Sequence, residues 1–214
     1  MKNHFVVARY NENLDWIINI DHNIYDIYIY NKGNKIDNLQ NCKIIDLANT
    51  GRESHTYLTH IINYYDNLPE NIVFTQGYPF DHVRRTFFNE VNNFVYKTND
   101  FYYFSKDLLS IKYSGESNNF IENGILNGQI WTNFHELNSP IKKIMEILFD
   151  NFDYKNLNIL FGTGAIYGLN KKVILKHNKK FYLNCIKVLN NSSNIVNPEE
   201  GHIFERLWFY IFNF

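Results

Sequence analysis

Four short apolar runs each end in residues that can hold an anion or move a proton. Residues 5–8 lead to Arg9, Tyr10 and Glu12, and residues 25–33 carry Asn31 and Lys32 near their end. Residues 42–48 lead to Thr50, Gly51 and Arg52, and residues 71–77 close on Gln76 and Gly77, with Asp81 and His82 just beyond. Arginine and lysine neutralise phosphate, a carboxylate can take a proton from a hydroxyl, and an imidazole titrates near neutrality. In an open α/β sheet, ligands bind at the carboxyl ends of the strands, so these groups share one crevice if the runs are strands of one sheet. A helix starting at Arg52 adds unpaired backbone amides and the positive end of its dipole, a ready anion site. A nucleoside diphosphate suits such a crevice.

The elements that must position these groups are legible in outline. Phe5-Val6-Val7-Ala8 is continuously apolar, as in a central strand covered on both faces. Asn13 can cap a short helix through Leu14, Trp16, Ile17 and Ile18. Residues 25–33 and 42–48 read as the second and third strands. Thr50-Gly51-Arg52-Glu53 fits the Thr-x-x-Glu capping box. The helix it opens places Tyr57, Leu58, Ile61, Ile62 and Tyr65 on one side, and Arg52, Thr56, Thr59 and Asn63 on the other. With residues 71–77 as a fourth strand, the pattern predicts an α/β fold with a mostly parallel sheet flanked by helices. Residues 84–138 are hard to read: residues 94–96 and 101–104 have strand composition, and Gly115, Gly124 and Gly128 suggest loops. Ser139-Pro140 opens a helix through Ile141, Ile144, Met145 and Leu148. Residues 158–170 read as a strand broken by a glycine-rich turn and resumed, and helices follow over 171–177 and 180–189. A last helix, 200–212, turns Phe204, Leu207, Trp208 and Ile211 inward and projects His202, Glu205 and Arg206.

Composition narrows the function classes. The 214 residues carry 21 basic and 22 acidic side chains, a formal net charge of -1, so no basic excess exists to neutralise a nucleic-acid backbone. No apolar stretch of about 18 residues occurs, which excludes a spanning helix, and no signal peptide is recognisable. A soluble, cytoplasmic protein is the expectation. Cys42 and Cys185 are too few for a disulfide framework and read as buried thiols. The 34 Asn residues make any single Asn weakly informative. There is no GxGxxG, Walker loop, HExxH or GxSxG motif. Each candidate also has a plainer role. Glu53 serves as the capping-box partner, Arg52 as a solvated first-turn residue, Asp81 as a turn residue, and His202, Glu205 and Arg206 as an exposed helix face. His4, His22, His60, His135 and His177 read as structural or surface residues.

The segments VVARYNENLDW, IYNKG, GRESHTYLTHII, FTQGYPFDH and GHIFERLW, in that order, resemble a domain-of-unknown-function family of fungi and large DNA viruses. Its members look like compact relatives of glycosyltransferases with the GT-A fold. The resemblance implies a single GT-A-like domain over residues 1–214, with a nucleotide-binding-like half (1–83) and an acceptor-side half (84–214). It implies transfer of a sugar from a nucleotide-sugar donor to a carbohydrate or glycoprotein acceptor. Arg9, Tyr10, Glu12, Asn31, Gly51, Arg52, Gln76 and Gly77 would contact the donor. Such enzymes hold Mn²⁺ or Mg²⁺ with an Asp-x-Asp motif at the end of the fourth strand, where this chain has Gln76-Gly77. Asp81, His82 and His202 would then take over the metal, or Arg52 and the helix amides would neutralise the diphosphate without one. Glu205, and after it Asp81, would be the base that deprotonates the acceptor. The alternative is a degenerate domain that binds a sugar or a partner without turnover. A hydrolase built on Asp81, His82 and His202 is a third reading.

Overall fold

The apolar run Phe5-Val6-Val7 forms the middle of β1 (Asn3–Arg9), fully buried on both faces of a sheet. The structure, a computed structural model, describes residues 1–37, 39–95 and 100–213. After β1 come β2 (Tyr25–Asn31), β3 (Cys42–Asp46), α1 (Arg52–Tyr64), β4 (Asn71–Gln76), α2 (Phe87–Phe94) and β5 (Phe101–Tyr103). Then follow β6 (Leu108–Ser114), β7 (Asn119–Leu126), β8 (Gln129–Glu136), α3 (Pro140–Leu148), β9 (Asn158–Gly162), β10 (Tyr167–Asn170), α4 (Lys171–Ile174), α5 (Lys179–Asn190) and α6 (Glu199–Asn213).

The main sheet has the order β3-β2-β1-β4-β10-β5. Its first four strands are parallel, as the alternation of strand and helix predicts, but β10 runs antiparallel to both β4 and β5. The sheet is therefore mixed rather than mostly parallel. Strands β8-β7-β6-β9 form a second, wholly antiparallel sheet. The difference arises in the middle of the chain. There, hairpin strands with one solvated face carry polar residues at alternate positions, and Gly124 lies inside β7 rather than in a loop. Phe94 ends α2 instead of starting a strand, and Tyr96 lies outside the described residues. Residues 158–170 do form a strand, a turn and a strand, but the halves β9 and β10 belong to different sheets.

Side-chain alternation along the parallel strands feeds two cores. Val6, Tyr28, Tyr30, Ile72 and Phe74 face α1, α5, α6 and the second sheet. Phe5, Val7, Ile27, Ile29 and Val73 pack on the opposite face against Phe87, Val91 and Phe94 of α2. The helix expected near residue 14 is a 3₁₀ turn, Asp15–Asn19, with Asn13 Oδ1 accepting from the Asp15 amide at 2.7 Å. In α6, Phe204, Leu207, Trp208 and Ile211 are fully buried, as the spacing requires. Helix α1 is more enclosed than its sequence suggests: Ser54, Thr56 and His60 are buried with Tyr57, Leu58 and Ile61. The cause is that α1 is sandwiched between the sheet and the α5–α6 pair. Cys185 is buried and Cys42 half-buried. Among the described residues, no helix is long and apolar enough to cross a membrane.

The capping box does not form. Gly51 is the N-cap of α1, at φ +62°, and no side chain caps the helix. Arg52 follows at φ +51°, so the chain enters α1 through two consecutive left-handed residues. A β-carbon at Gly51 would stand 2.7 Å from His55 Cβ, which restricts the position to glycine on space as well as on φ. The Lys32 ammonium holds this entry by donating to the Thr50 carbonyl at 2.6 Å and to the Arg52 carbonyl.

Two histidines read as plain structural residues form a buried relay under α1. Tyr30 Oη lies 3.0 Å from His60 Nδ1, His60 Nε2 lies 3.0 Å from His4 Nδ1, and His4 Nε2 lies 3.4 Å from Tyr28 Oη. Each bond needs one N–H or O–H and one bare acceptor, so the two imidazoles, which face each other, cannot both be protonated. Burial lowers His4 to about 4 and His60 well below its ordinary value. A histidine with a depressed folded pKa contributes stability above its unfolded value near 6.5 that is lost as pH falls toward the folded one. NMR of the ring carbons is expected to show His4 titrating near pH 4 and His60 well below 6.5. Titration of both near pH 6.5 would mean the relay is not closed.

Candidate functional site

The parallel strands create the cleft. From β1 the chain moves outward to β2 and β3, then returns through α1 to β4 on the other side of β1. Strand order thus reverses between β1 and β4, the place where open α/β sheets leave a crevice at their carboxyl edge. A cavity of about 400 Å³ opens there. Arg9, Tyr10 and Glu12 line it from the end of β1, Gln76 from β4, Lys32 and Asn49 from the loops after β2 and β3, Arg52 and Glu53 from α1, and Val196 from the approach to α6.

Of the residues expected to contact a donor, Arg9, Tyr10, Glu12, Arg52 and Gln76 thus meet on one wall. Arg9 is 8% exposed, and its guanidinium donates to the carbonyls of Tyr10, Glu12 and Asn34 and to Asn31 Oδ1. Most of its hydrogen-bonding capacity therefore ties the two strand ends together. Asn31 is buried behind it and donates to Asp46 Oδ1 at 3.0 Å. Glu12 Oε2 accepts from the Tyr10 amide at 2.7 Å and fills the space where a β-carbon of Gly77 would stand, 2.5 Å away. Gly77 and Gly51 thus shape the cleft through backbone.

The charge centre of the cleft is the start of α1. Arg52 Nη1 donates to Asn197 Oδ1 at 2.9 Å and lies 3.2 Å from His202 Nε2. Its Nε sits 3.5 Å from Glu53 Oε2 but out of line for a hydrogen bond. Glu53 is 9% exposed. Burial raises its carboxyl to about 7; Arg52 opposes the shift, Glu205 adds to it, and the Glu53 backbone amide also steadies the charged form. Burial lowers Lys32 to about 8, with Glu53 opposing. The helix amides are less available than expected, because the carboxyl of Glu53 accepts from its own backbone and the Gly51 amide donates to Ile195 O. Any anion here meets side-chain cations first.

Helix α6 and the turn between β9 and β10 close the far side. The Gly164 amide donates to Glu205 Oε1 at 2.6 Å, and the Gly164 carbonyl accepts from Gln76 Nε2 at 2.6 Å. His82 packs on the same residue: a β-carbon at Gly164, which has φ +80°, would stand 2.7 Å from the ring. Gln76, His82 and Glu205 therefore converge on one residue, and Arg52 reaches His202 one turn earlier on α6. Glu205 does not line the cavity, and Asp81 is exposed in the turn after β4. Asp81, His82 and His202 do not form a ligand set. Among the described residues, no group of three or more His, Cys, Asp or Glu side chains is placed to hold a metal ion. His202 is engaged by Arg52, and His82 lies against Gly164.

Behind α6, Glu122 of β7 is 2% exposed and accepts from Arg206 Nε at 2.8 Å, His135 Nε2 at 2.9 Å and Trp131 Nε1 at 3.1 Å. Burial alone would raise this carboxyl, but the bonds from His135 and Arg206 and the arginine charge outweigh it and hold the group at about 2. The cluster locks α6 to the second sheet.

Sequence reasoning gave Glu53 only a capping role and left Lys32 and Asn49 outside the donor set. A signal for Glu53 was present: it lies four residues before Tyr57 and eight before Ile61, on the buried stripe of α1. Lys32 was marked only by its place at the carboxyl end of the second strand; its bonds to the Thr50 and Arg52 carbonyls follow from the left-handed entry to α1.

The model of the family described as Protein of unknown function (DUF3431) matches residues 5–214. The chain belongs to the DUF3431 family. No curated protein matches it. The cleft of this DUF3431 protein is built wholly within the matched region.

Glu53→Gln tests the charge centre. A carboxyl raised to about 7 in the folded state, against about 4.5 unfolded, costs stability progressively as pH rises from 4.5 to 7, after which the loss is complete. The variant lacks this cost, so its stability relative to wild type is expected to grow across that window, by about 3 kcal/mol at most. Denaturant titrations at pH 5 and pH 8 giving equal differences would remove Glu53 as a titrating group.

Proposed function

We propose that this protein is a GT-A-type glycosyltransferase that moves a sugar from a nucleotide-sugar donor to a carbohydrate or glycoprotein acceptor. The observation that carries the reading is the pairing of Arg52 with Lys32 beside the β1–β4 crevice, within a sheet half of order 3-2-1-4. That strand order is the one in which doubly wound proteins hold nucleotides. The donor diphosphate lies against Arg52 and Lys32, and the nucleoside lies along Tyr10 and Asn49.

In an inverting transfer the acceptor oxygen attacks the anomeric carbon as its proton passes to a carboxylate. The bond from that carbon to the diphosphate oxygen breaks, and the nucleoside diphosphate leaves with the electron pair. Arg52 and Lys32 stabilise the charge that develops on the leaving group, and fixed cations of this kind act most strongly where water is excluded. Glu205 is the base in this reading, held by the Gly164 amide on the α6 side of the crevice.

One observation favours the second reading, a binding domain without turnover: Glu205 is tied to Gly164 and does not line the cavity. A thermal-shift panel of nucleotide sugars, with Mg²⁺, with Mn²⁺ and with chelator, followed by transfer assays, separates the two. The transferase reading expects a stabilising donor and transfer. Arg52→Ala is expected to weaken donor binding by about tenfold to a hundredfold, the range for hydrogen bonds to charged groups. Glu205→Gln is expected to lower kcat by about 10²–10⁴ while donor binding persists. Binding without transfer supports the second reading, and no stabilisation by any nucleotide sugar contradicts both.

A further inference from the structure

Strand β8 is an edge of the second sheet, paired among the described residues with β7 alone. The hairpin that joins them fixes which of its main-chain groups stay open. Leu126 faces Gln129 across a two-residue turn, Asn127-Gly128, whose φ angles are both positive, +51° and +79°. Such a turn closes on a hydrogen-bonded pair, and bonded and open pairs alternate from there along an antiparallel ladder. Trp131, Asn133 and His135 therefore exchange bonds with β7, while the N–H and C=O groups of Ile130, Thr132 and Phe134 point away from it. The Phe134 amide agrees: it donates to Asn133 Oδ1 at 2.9 Å, within its own strand, a bond that an incoming carbonyl can replace.

The side chains of Ile130, Thr132 and Phe134 share the face of the sheet opposite Glu122, to which Trp131 and His135 bond. Ile130 is 90% exposed and Phe134 61%. Soluble proteins blunt an open edge with lysine, proline or a bulge. Residues 129–136 contain no lysine and no proline, and their register with β7 is unbroken. This strand is complementary to itself. About a two-fold axis through Thr132 and normal to the sheet, Thr132 pairs with Thr132 of a second copy, and Ile130 pairs with Phe134 in both directions. Every one of these open main-chain groups then gains a partner, and the uncovered β-branched and aromatic side chains lie directly opposite each other. Glu136 falls opposite Gly128, so like charges do not meet. A register shifted by two residues sets Phe134 against Gly128, or Ile130 against Glu136. A shift by one sets open main-chain groups against bonded ones.

We infer that this chain forms a two-fold homodimer by antiparallel pairing of β8 with β8 of a second copy, which joins the two second sheets into one continuous sheet. The inference is independent of what the cleft binds. Sedimentation across a concentration series tests it. The wild-type chain is expected to show a monomer–dimer equilibrium, and Ile130→Lys to weaken it by about tenfold, because a two-fold interface makes each contact twice. Residue 130 is exposed in the single chain, so the variant is expected to keep the wild-type circular dichroism and Tm. Thr132→Cys tests the register. A thiol on the axis is expected to cross-link to its own copy on mild oxidation, whereas Gly115→Cys, in the open turn after β6, is not. The wild-type chain, which holds Cys42 and Cys185, is the control. A wild-type chain that stays monomeric at millimolar concentration, a dimer unaffected by Ile130→Lys, or equal cross-linking at both introduced cysteines would overturn the inference.

Discussion

The backbone of Gly164 is hydrogen-bonded at both ends, its carbonyl accepting from Gln76 and its amide donating to Glu205. It sits where the chain leaves the second sheet, after β9, and enters the main sheet as β10. Through it the end of β4 is joined to α6, so the crevice side of the parallel strands and the helix carrying His202 and Glu205 keep one distance. Only glycine meets the requirement. The φ of +80° is costly for a residue with a β-carbon, and the His82 ring occupies the space that carbon would need. Ala165 follows at φ +52°, so the turn concentrates backbone strain where sheet, helix and cleft meet.

A second constraint is electrostatic. Setting Lys32 and Arg52 beside buried Glu53 avoids the cost of an isolated buried charge, because each cation lowers the penalty on the carboxylate. The arrangement is still not neutral in effect: burial moves Glu53 up to about 7 and Lys32 down to about 8. The cleft therefore holds an acid and an amine that change charge near neutral pH, and an incoming phosphate would shift both. Glu122 shows the opposite outcome. Enough donors surround it that its carboxyl stays charged far below neutrality, which suits a group that fastens α6 in place.

Much of the fold was legible because its signals were strong and local. The run Phe5–Ala8, the strand from Asn71 to Gln76 and the inward stripe of α6 each follow from apolar spacing, and all are found. The second sheet was not legible, because its hairpins are solvated on one side and β8 is exposed along most of its length, leaving little contrast between strand and loop. The Thr50–Glu53 pattern misled for a physical reason: Lys32, distant in sequence, binds the carbonyls of the turn and stabilises a left-handed entry that local propensity does not favour. The ends of β1 and β4 placed Arg9, Tyr10, Glu12 and Gln76 in one cleft, as strand polarity implies. The His4–His60 contact and the Glu122 cluster join residues 56 and 84 positions apart, a pairing that only the folded sheet creates.

The transferase reading depends on a nucleoside diphosphate being held by Arg52 and Lys32 at the entry to α1. The most direct measurement is a ¹⁵N NMR titration with uridine and guanosine diphosphates. The account predicts saturable amide shifts centred on Arg9, Lys32, Gly51, Arg52, Glu53 and Gln76. Shifts centred elsewhere, or none with either nucleotide at millimolar concentration, would contradict it.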